Sequence, residues 1–455
     1  MVWQNDVCSV ILAAGSGRRI CSEKPKIFRE VLFKPLVNLV FENCKKAKIK
    51  EICFVCAGDG LGVLKGYFKE EASYVIQEEK LGTAHATAQA VPFLKASGKK
   101  DVLVLLADVP FIDAQTIEDA YFVHKKREND VTVIAATLQN PFGYGRIEYA
   151  NDRIKIVEEK DATDTQRAIK QVNSGALWFN VSALLAILER VDNKNASGEY
   201  YITTAVNLLT KTGCYLAEDA NIILGANTNE QLLTLNEVAK DRVISYHSCN
   251  GVEFLSKDGV MIGADVKIGK GTQIFPGVTI KGSCQIGEDC VVTSGTFIED
   301  SNIGDNCQIK SSYIESSVIA CGVSVGPFAH IRAGCEIEDG VKVGNYVEVK
   351  NSYIGAKTKI AHHNYVGDCS VGFGVNLGCG VVVANYDGEE KHKSKIEDDV
   401  FIGCNSNLIA PVTIRRGAFV AAGSTITENI EENGFAIARA RQETKPNYKR
   451  KRKGQ

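Results

Sequence analysis

The sequence is short of net charge: 53 Lys and Arg offset 55 Asp and Glu, leaving −2 at pH 7. No global field therefore favours nucleic acid or anionic lipid, and neither partner is expected. Also missing is any apolar run approaching the roughly 20 residues of a membrane span. The stretch VCSVILAAG follows Asp6 with no positive charge before it, which is not the pattern of a secretory leader. Fifteen cysteines are present, but without the spacing of a disulfide framework. The lone C-x-x-C, Cys53 to Cys56, lies in a strand-like run. Positions three apart on a strand face opposite sides, so this pair cannot share a metal. The cysteines read as reduced thiols used as small apolar residues, and the expected location is the cytoplasm.

Both common phosphate cradles are absent. In SVILAAGSGRRI, Ser9 to Ile20, an apolar run empties into a glycine turn followed by two arginines. A dinucleotide fingerprint needs glycine at the first, third and sixth positions of that turn; here Gly15 and Gly17 are followed by Ile20. The G-x-x-x-x-G-K-[ST] loop is missing too. Taken alone, the stretch is either a plain strand-to-helix turn or a different kind of phosphate grip. The basic end, NYKRKRKGQ, is either a solvated tail or a contact for an anionic ligand.

What is there divides in two. At 455 residues, with 45% hydrophobic and 24% charged, the chain is too long for one typical core. Up to about residue 228, strand-like runs (VCSVILAAG, EICFVCAG, DVLVLLADVP, DVTVIAATL) alternate with helical segments, which predicts an α/β domain with a largely parallel sheet. Ligands bind beyond the carboxyl ends of such strands, where Gly15 and Asp108 both fall. Leu232, Leu235, Val238 and Ile244 then follow helical spacing. After Gly251 the period becomes six: Ile262, Ile268, Ile274, Ile280, Ile286, Val292 and Ile298, then Val325 to Val349, then Ile396 to Ile426. Six suits neither an α-helix nor a hairpin; it is the signature of a parallel β-helix whose aliphatics point into a prism. The register breaks at ANYDGEEKHKSK, a polar loop between Val383 and Ile396 and a favoured place for function.

LAAGSGRR, KPKIF, QEEKLGTAHA, LADVP, GYGRI, VEEKDAT, VNSGA and LGANTN in the first half, and IRAGCEI, VEVKNSYIG, AHHNYVGD, VNLGCG and VANYDG in the second, resemble the bifunctional N-acetylglucosamine-1-phosphate uridyltransferase/glucosamine-1-phosphate acetyltransferase family. The resemblance runs to about Gln442. It implies an α/β nucleotidyltransferase domain (Rossmann-like, mostly parallel sheet) over residues 1–228 and a linker helix over 229–250. A left-handed parallel β-helix of hexapeptide repeats, ending in the basic tail, follows over 251–455. It implies that Leu12, Ala13, Ala14 and Gly15 hold uracil and ribose and that Arg19 reaches the triphosphate, with Arg18 standing where the family has threonine. Lys26 is matched to the α-phosphate, Gln77, Gly82 and Thr83 to uridine, and Gly145, Glu158 and Asn173 to the sugar nucleotide. Asp108 and Asn227 are matched to Mg²⁺, one ion per uridyltransferase site with a second allowed, and Mg²⁺ typically takes only one or two protein oxygens.

For the second activity the resemblance makes His362, and not His363, the general base; a histidine titrating near neutrality suits removal of an amine proton. Arg332 and Lys350 are matched to the sugar phosphate, and Tyr365 and Asn376 to the sugar. Cys379, Asn385, Tyr386, Cys404, Ala422 and Arg439 are matched to acetyl-CoA. Cys379 stands where a small residue is expected and Cys404 where serine is, and a thiol is a weaker donor than a hydroxyl. The implied assembly is a homotrimer acting on UTP, glucosamine-1-phosphate and acetyl-CoA to make UDP-N-acetylglucosamine for the cell envelope. Two other readings compete: a single-activity sugar nucleotidyltransferase with a structural β-helix, and a non-catalytic regulatory subunit. Retention of His362, Arg332, Lys350 and Tyr365 weighs against the first. Retention of Lys26, Asp108 and Arg19 weighs against the second.

Overall fold

The near-continuous apolar run VCSVILA makes β1 (Val7–Ala13), which is buried along its whole length. A computed structural model describes residues 3–15, 25–150 and 153–448 and divides the chain into two units, Met1–Ala239 and Lys240–Gln455. The first unit continues with β2 (Ile52–Cys56), β3 (Ser73–Ile76), β4 (Asp101–Leu106), β5 (Val131–Thr137), β6 (Arg146–Ala150), β7 (Arg153–Val157), β8 (Gln171–Asn180) and β9 (Thr212–Leu216). They form one sheet in the order β9-β5-β8-β4-β1-β2-β3, with the β6–β7 hairpin joined to β8. Pairing is parallel among β4, β1, β2 and β3 and between β9 and β5.

The sheet departs from a purely parallel one at its centre. β8 runs antiparallel to both β4 and β5, and its ladder with β5 shifts register between Asn173 and Leu177. Its sequence, QVNSGALWFN, carries Asn, Ser and Gly in its first half, which hides a strand from any hydrophobic pattern. The reversed direction matters. Leu177 faces Val104, so the early residues of β8 are carried toward the carboxyl end of β4, where Asp108 follows. One antiparallel strand thus adds Asn173 to the edge at which parallel sheets place their ligands.

The helix Asn229–Cys249 follows, and the rest of the second unit is built from short strands in three parallel sheets, as expected of a hexapeptide β-helix. In one sheet Ile262, Ile280, Ile298, Ile314, Ile331, Val349 and Val366 pair in succession, and all are buried. Coils also fill the region between Ile298 and Val325, where the six-residue rhythm is not evident. There several sides contain five residues: Asp300, Ser311 and Ser316 take positive φ values of 45°, 41° and 41° and turn the corner one residue early. Short polar residues tolerate that conformation by bonding locally. Corner hydroxyls and thiols also accept the next coil's N–H: Ser317 from Cys335 at 3.3 Å, Ser352 from Cys369 at 3.0 Å. Backbone donors left over at a corner are thereby satisfied within the prism.

Candidate active sites

In the first unit β1 ends at Ala13, and Ala14 and Gly15 line a cavity of about 320 Å³ together with Lys26, Gln77, Gly82, Thr83 and Asp108. Gln77, directly after β3, is buried; its Nε2 donates to the Gly82 carbonyl at 3.2 Å and lies 2.9 Å from His85 Nδ1. The loop is fastened from the far side as well. Ala84 N–H donates to Tyr200 O at 2.8 Å, and Ile202 N–H donates to Thr83 Oγ1 at 2.9 Å. Gly82 has φ +121° and a side chain there would meet Tyr200 O at 2.5 Å, so only glycine lets the two segments touch. Gly82→Ala is expected to cost about 1–3 kcal/mol of loop strain. It should raise KM for the substrate that occupies this cavity roughly tenfold or more in steady-state assays.

A second cavity of about 440 Å³ shares Thr83, Leu106 and Asp108 with the first, and adds Gly145, Glu158, Asn173 and Asn227. Glu158 accepts from the Thr203 hydroxyl at 2.7 Å. Burial pushes its carboxyl above the ordinary range, and that hydroxyl opposes the shift. A Cβ on Gly145 would meet Ile156 Cγ2 at 2.9 Å and Glu158 Oε2 at 3.4 Å, so glycine lets this loop lie against Ile156 beside that carboxylate. Asn173 N–H donates to the Gly145 carbonyl at 2.9 Å, and its Oδ1 accepts from Gly175 N–H at 2.9 Å.

Three groups meet where the cavities join. Lys26, opening a short 3₁₀ turn, pairs its ammonium with the Asp108 carboxylate and donates to Asn227 Oδ1 at 2.6 Å. Asn227 is brought there by its loop: Ala226 N–H donates to Asp108 O at 3.3 Å, and Asn227 N–H to Gln231 Oε1 at 2.7 Å. One carboxylate oxygen and one amide oxygen thus converge on a single positive centre. A hard divalent cation suits that donor set, since Mg²⁺ takes one or two protein oxygens and completes its shell with phosphate and water. Among the described residues no group of three or more His, Cys, Asp and Glu side chains is placed to hold a metal ion by itself. Arg19 and its neighbour Arg18 lie outside the described residues.

In the second unit His362 ends the strand Lys359–His362, which pairs with Lys342–Asn345 so that His362 stands over Asn345. Its Nδ1 bonds Asn345 Oδ1. An amide oxygen only accepts, so Nδ1 carries the proton and Nε2 of the neutral ring keeps its lone pair. Nothing in the sequence pattern marks Asn345; the 17-residue separation becomes contact only through coil stacking. His363 differs: it turns the corner with φ 50° and stacks on Tyr346 at 5.1 Å, which stacks on Phe328 at 5.4 Å. Cys379, Cys404 and Ala422 follow at the same corner of later coils, tied by Asn405 N–H to Cys379 O at 2.7 Å and Gly423 N–H to Cys404 O at 2.8 Å. Arg439 Nη1 donates to Ala422 O at 2.9 Å.

The other candidates are spread over the sheet of His362 and its neighbour. Asn376 pairs with Lys359 on the sheet of His362, and Tyr365 pairs with Glu348 on the next. Arg332 pairs with Glu348 at 2.9 Å, and Lys350 lies at the far edge of that sheet. Lys391, from the polar loop, comes beside Lys350, and this like charge, with Arg332 adding to it, pulls the Lys350 pKa down. Lys391, which the sequence motifs did not nominate, thus joins Lys350 and Arg332 in one basic cluster. Asn385 is buried and donates to Asp368 Oδ2 at 2.5 Å, while Asn351 donates to Oδ1 at 2.5 Å. Burial of Asp368 opposes ionisation, yet these two amides hold its carboxyl below the usual range. Tyr386 is exposed, and Asp387 ties its loop by bonding His392 Nε2 at 2.6 Å and accepting from the N–H groups of Glu389 and Glu390.

Comparison with known proteins agrees with this division. Residues 8–220 match a nucleotidyl transferase model, and residues 265–300, 316–351 and 393–428 match a bacterial transferase hexapeptide (six repeats) model. Proteins described as bifunctional protein GlmU align over nearly the entire chain. One from a Geobacillus species is 42% identical over 97% of this chain and 97% of its own. One from Acetivibrio thermocellus is 43% identical over 97% and 96%, and one from Halalkalibacterium halodurans 42% over 97% and 98%. With a nucleotidyl transferase sheet and a hexapeptide prism in one chain, and with relatives this similar over this extent, the protein belongs to the family of bifunctional GlmU transferases.

Proposed function

We propose that the protein acetylates glucosamine-1-phosphate from acetyl-CoA and then joins the product to UTP, releasing pyrophosphate and UDP-N-acetylglucosamine for the cell envelope. Residues 1–228 carry uridylyl transfer, residues 251–455 carry acetyl transfer, and 229–250 join them. The observation that carries this reading is the persistence of two independent polar constellations in one chain: Lys26–Asp108–Asn227, and His362 with its Asn345 partner.

For acetyl transfer, Nε2 of His362 takes the amine proton as the nitrogen attacks the thioester carbonyl, and coenzyme A leaves as its thiol. Arg332, Lys350 and Lys391 hold the sugar phosphate, and Tyr365 and Asn376 orient the ring. Cys379, Cys404 and Ala422 flank the thioester, while Asn385, Tyr386 and Arg439 hold the rest of acetyl-CoA. The corner with His362 and the edge with Lys350 are separated by the length of one prism side, the five residue steps from Asn345 to Lys350, or about 16 Å. A homotrimer that sets one copy's corner beside the next copy's edge closes the site.

For uridylyl transfer, Leu12, Ala13, Ala14 and Gly15 hold uracil and ribose, and Gln77, Gly82 and Thr83 read the base. Gly145, Glu158 and Asn173 hold the sugar. Asp108 and Asn227 hold Mg²⁺, which supplies neutralisation of phosphate charge when bound. Lys26 and Arg19 stabilise the charge that develops as a sugar phosphate oxygen attacks the α-phosphorus in line. The protein acts in the cytoplasm, without a nucleic-acid or membrane partner. Among the described residues no helix is long and apolar enough to cross a membrane.

The test offers glucosamine-1-phosphate, acetyl-CoA and UTP together and then omits each in turn. UDP-N-acetylglucosamine is expected only from the complete mixture, with one thiol released per acetylated sugar. Uridylylation of supplied N-acetylglucosamine-1-phosphate without any thiol release would leave a single-activity nucleotidyltransferase on a structural prism.

A further inference from the structure

We propose that Cys379 and Cys404 form a thiol-exchange site that reacts with coenzyme A disulfide and thereby switches off acetyl transfer; this rests on the acetyl-transfer reading above. The two residues are partners across adjacent coils. Leu377 pairs with Ile402, Gly378 N–H donates to Ile402 O at 2.8 Å, and Asn405 N–H donates to Cys379 O at 2.7 Å. Neighbouring strands stand about 4.8 Å apart, within the roughly 4.4–6.8 Å between Cα atoms that a disulfide spans.

Access sets this pair apart. Both are free thiols; Cys404 is exposed and Cys379 half-buried. Gly378 and Gly380 flank one, Gly403 precedes the other, and Ala422 follows on the next coil, so no bulky neighbour at these positions covers the sulfurs. The same chain contains an internal control. Cys290 and Cys307 stand in the same relation one coil apart, since Val291 pairs with Gln308, yet both are fully buried. Burial pushes the Cys8 and Cys44 thiols up to about 12, which withholds the nucleophilic thiolate. The hydrogen bond with Cys307 instead pulls the Cys290 thiol down, so lack of access alone protects that control.

The exchange balances. The Cys404 thiolate attacks one sulfur of coenzyme A disulfide, a protein–coenzyme mixed disulfide forms, and one coenzyme thiolate leaves and takes up the proton that Cys404 lost. Cys379 then attacks the Cys404 sulfur, the mixed disulfide breaks, and a second coenzyme thiol departs with the proton from Cys379. The protein dithiol is oxidised by two electrons and the coenzyme disulfide is reduced to two thiols. The covalent link lies at the corner just beyond His362, where it obstructs the thioester.

The full-length protein would be incubated with coenzyme A disulfide, with and without acetyl-CoA. Peptide mass spectrometry would then locate the modified thiols, and both activities would be measured against each sample's own reduced value. Expected are a Cys379–Cys404 disulfide, an acetyl transfer rate lowered by about tenfold or more, recovery with dithiothreitol, and slower reaction in the presence of acetyl-CoA. Uridylyl transfer should hold, and Cys290 and Cys307 should remain free. In Cys379→Ala the reaction should stop at a coenzyme adduct on Cys404, and Cys404→Ser should keep its own starting rate after treatment. Free Cys379 and Cys404 after treatment, or equal loss in Cys404→Ser, would overturn the proposal. Absence of acetyl transfer from the reduced protein would instead overturn the function it rests on, while the peptide map still decides the exchange.

Discussion

His362→Ala is expected to lower acetyl transfer by about a hundred- to ten-thousandfold, the usual contribution of a positioned base, while uridylyl transfer proceeds at its normal rate. The reason is geometric. Asn345 fixes the proton on Nδ1, so the ring offers Nε2 as the only unprotonated nitrogen, and His362 is exposed at the end of its strand. His363→Ala, one residue on, removes a ring that stacks on Tyr346. Its expected cost is about 0.5–1.5 kcal/mol of stability with a near-normal acetyl rate. Thiol release from acetyl-CoA and pyrophosphate release from UTP, measured on the same preparations, separate the two outcomes. A larger loss in His363→Ala would mean that the base had been placed one residue too early.

Asp108→Ala is expected to produce the opposite pattern, with uridylyl transfer down by about a hundred- to a thousandfold and acetyl transfer intact. The carboxylate is half-buried at the edge shared by both cavities and is paired with Lys26. Removing it leaves Asn227 as the one protein oxygen at that point among those assigned to the cation, and leaves Lys26 without its anion. Asp108→Asn keeps the shape and removes the charge, so a similar loss would identify charge as the cause. Equal loss of both activities in either variant would contradict the assignment of Asp108 to one half of the enzyme.

The second unit was legible because its rule is local. An aliphatic residue every six positions must face one interior, and Ile262, Ile280 and Ile298 do so. The rule failed between Ile298 and Val325, where residues such as Asp300 and Ser316 take positive φ and shorten a side to five. That corner is a conformational choice and leaves no mark in hydropathy. In the first unit the hydrophobic runs of β1, β2, β4 and β5 announced themselves. β8 did not, because its Asn, Ser and Gly serve the site and bulge its ladder with β5.

Site residues divide along the same line. LAAG, LADVP and AHHNYVGD are contiguous strings, and their chemistry can be recognised wherever the chain goes. The partners that make them competent are remote: Lys26 meets Asn227 across 201 positions, and Asn385 meets Asp368 across 17. Periodicity and short motifs are properties of neighbouring residues, so the chain alone specified two architectures and nominated their reactive groups. Which nitrogen of His362 meets Asn345 and which cation Lys350 confronts depend on stacking and strand direction, because hydrogen bonds and charges act through space.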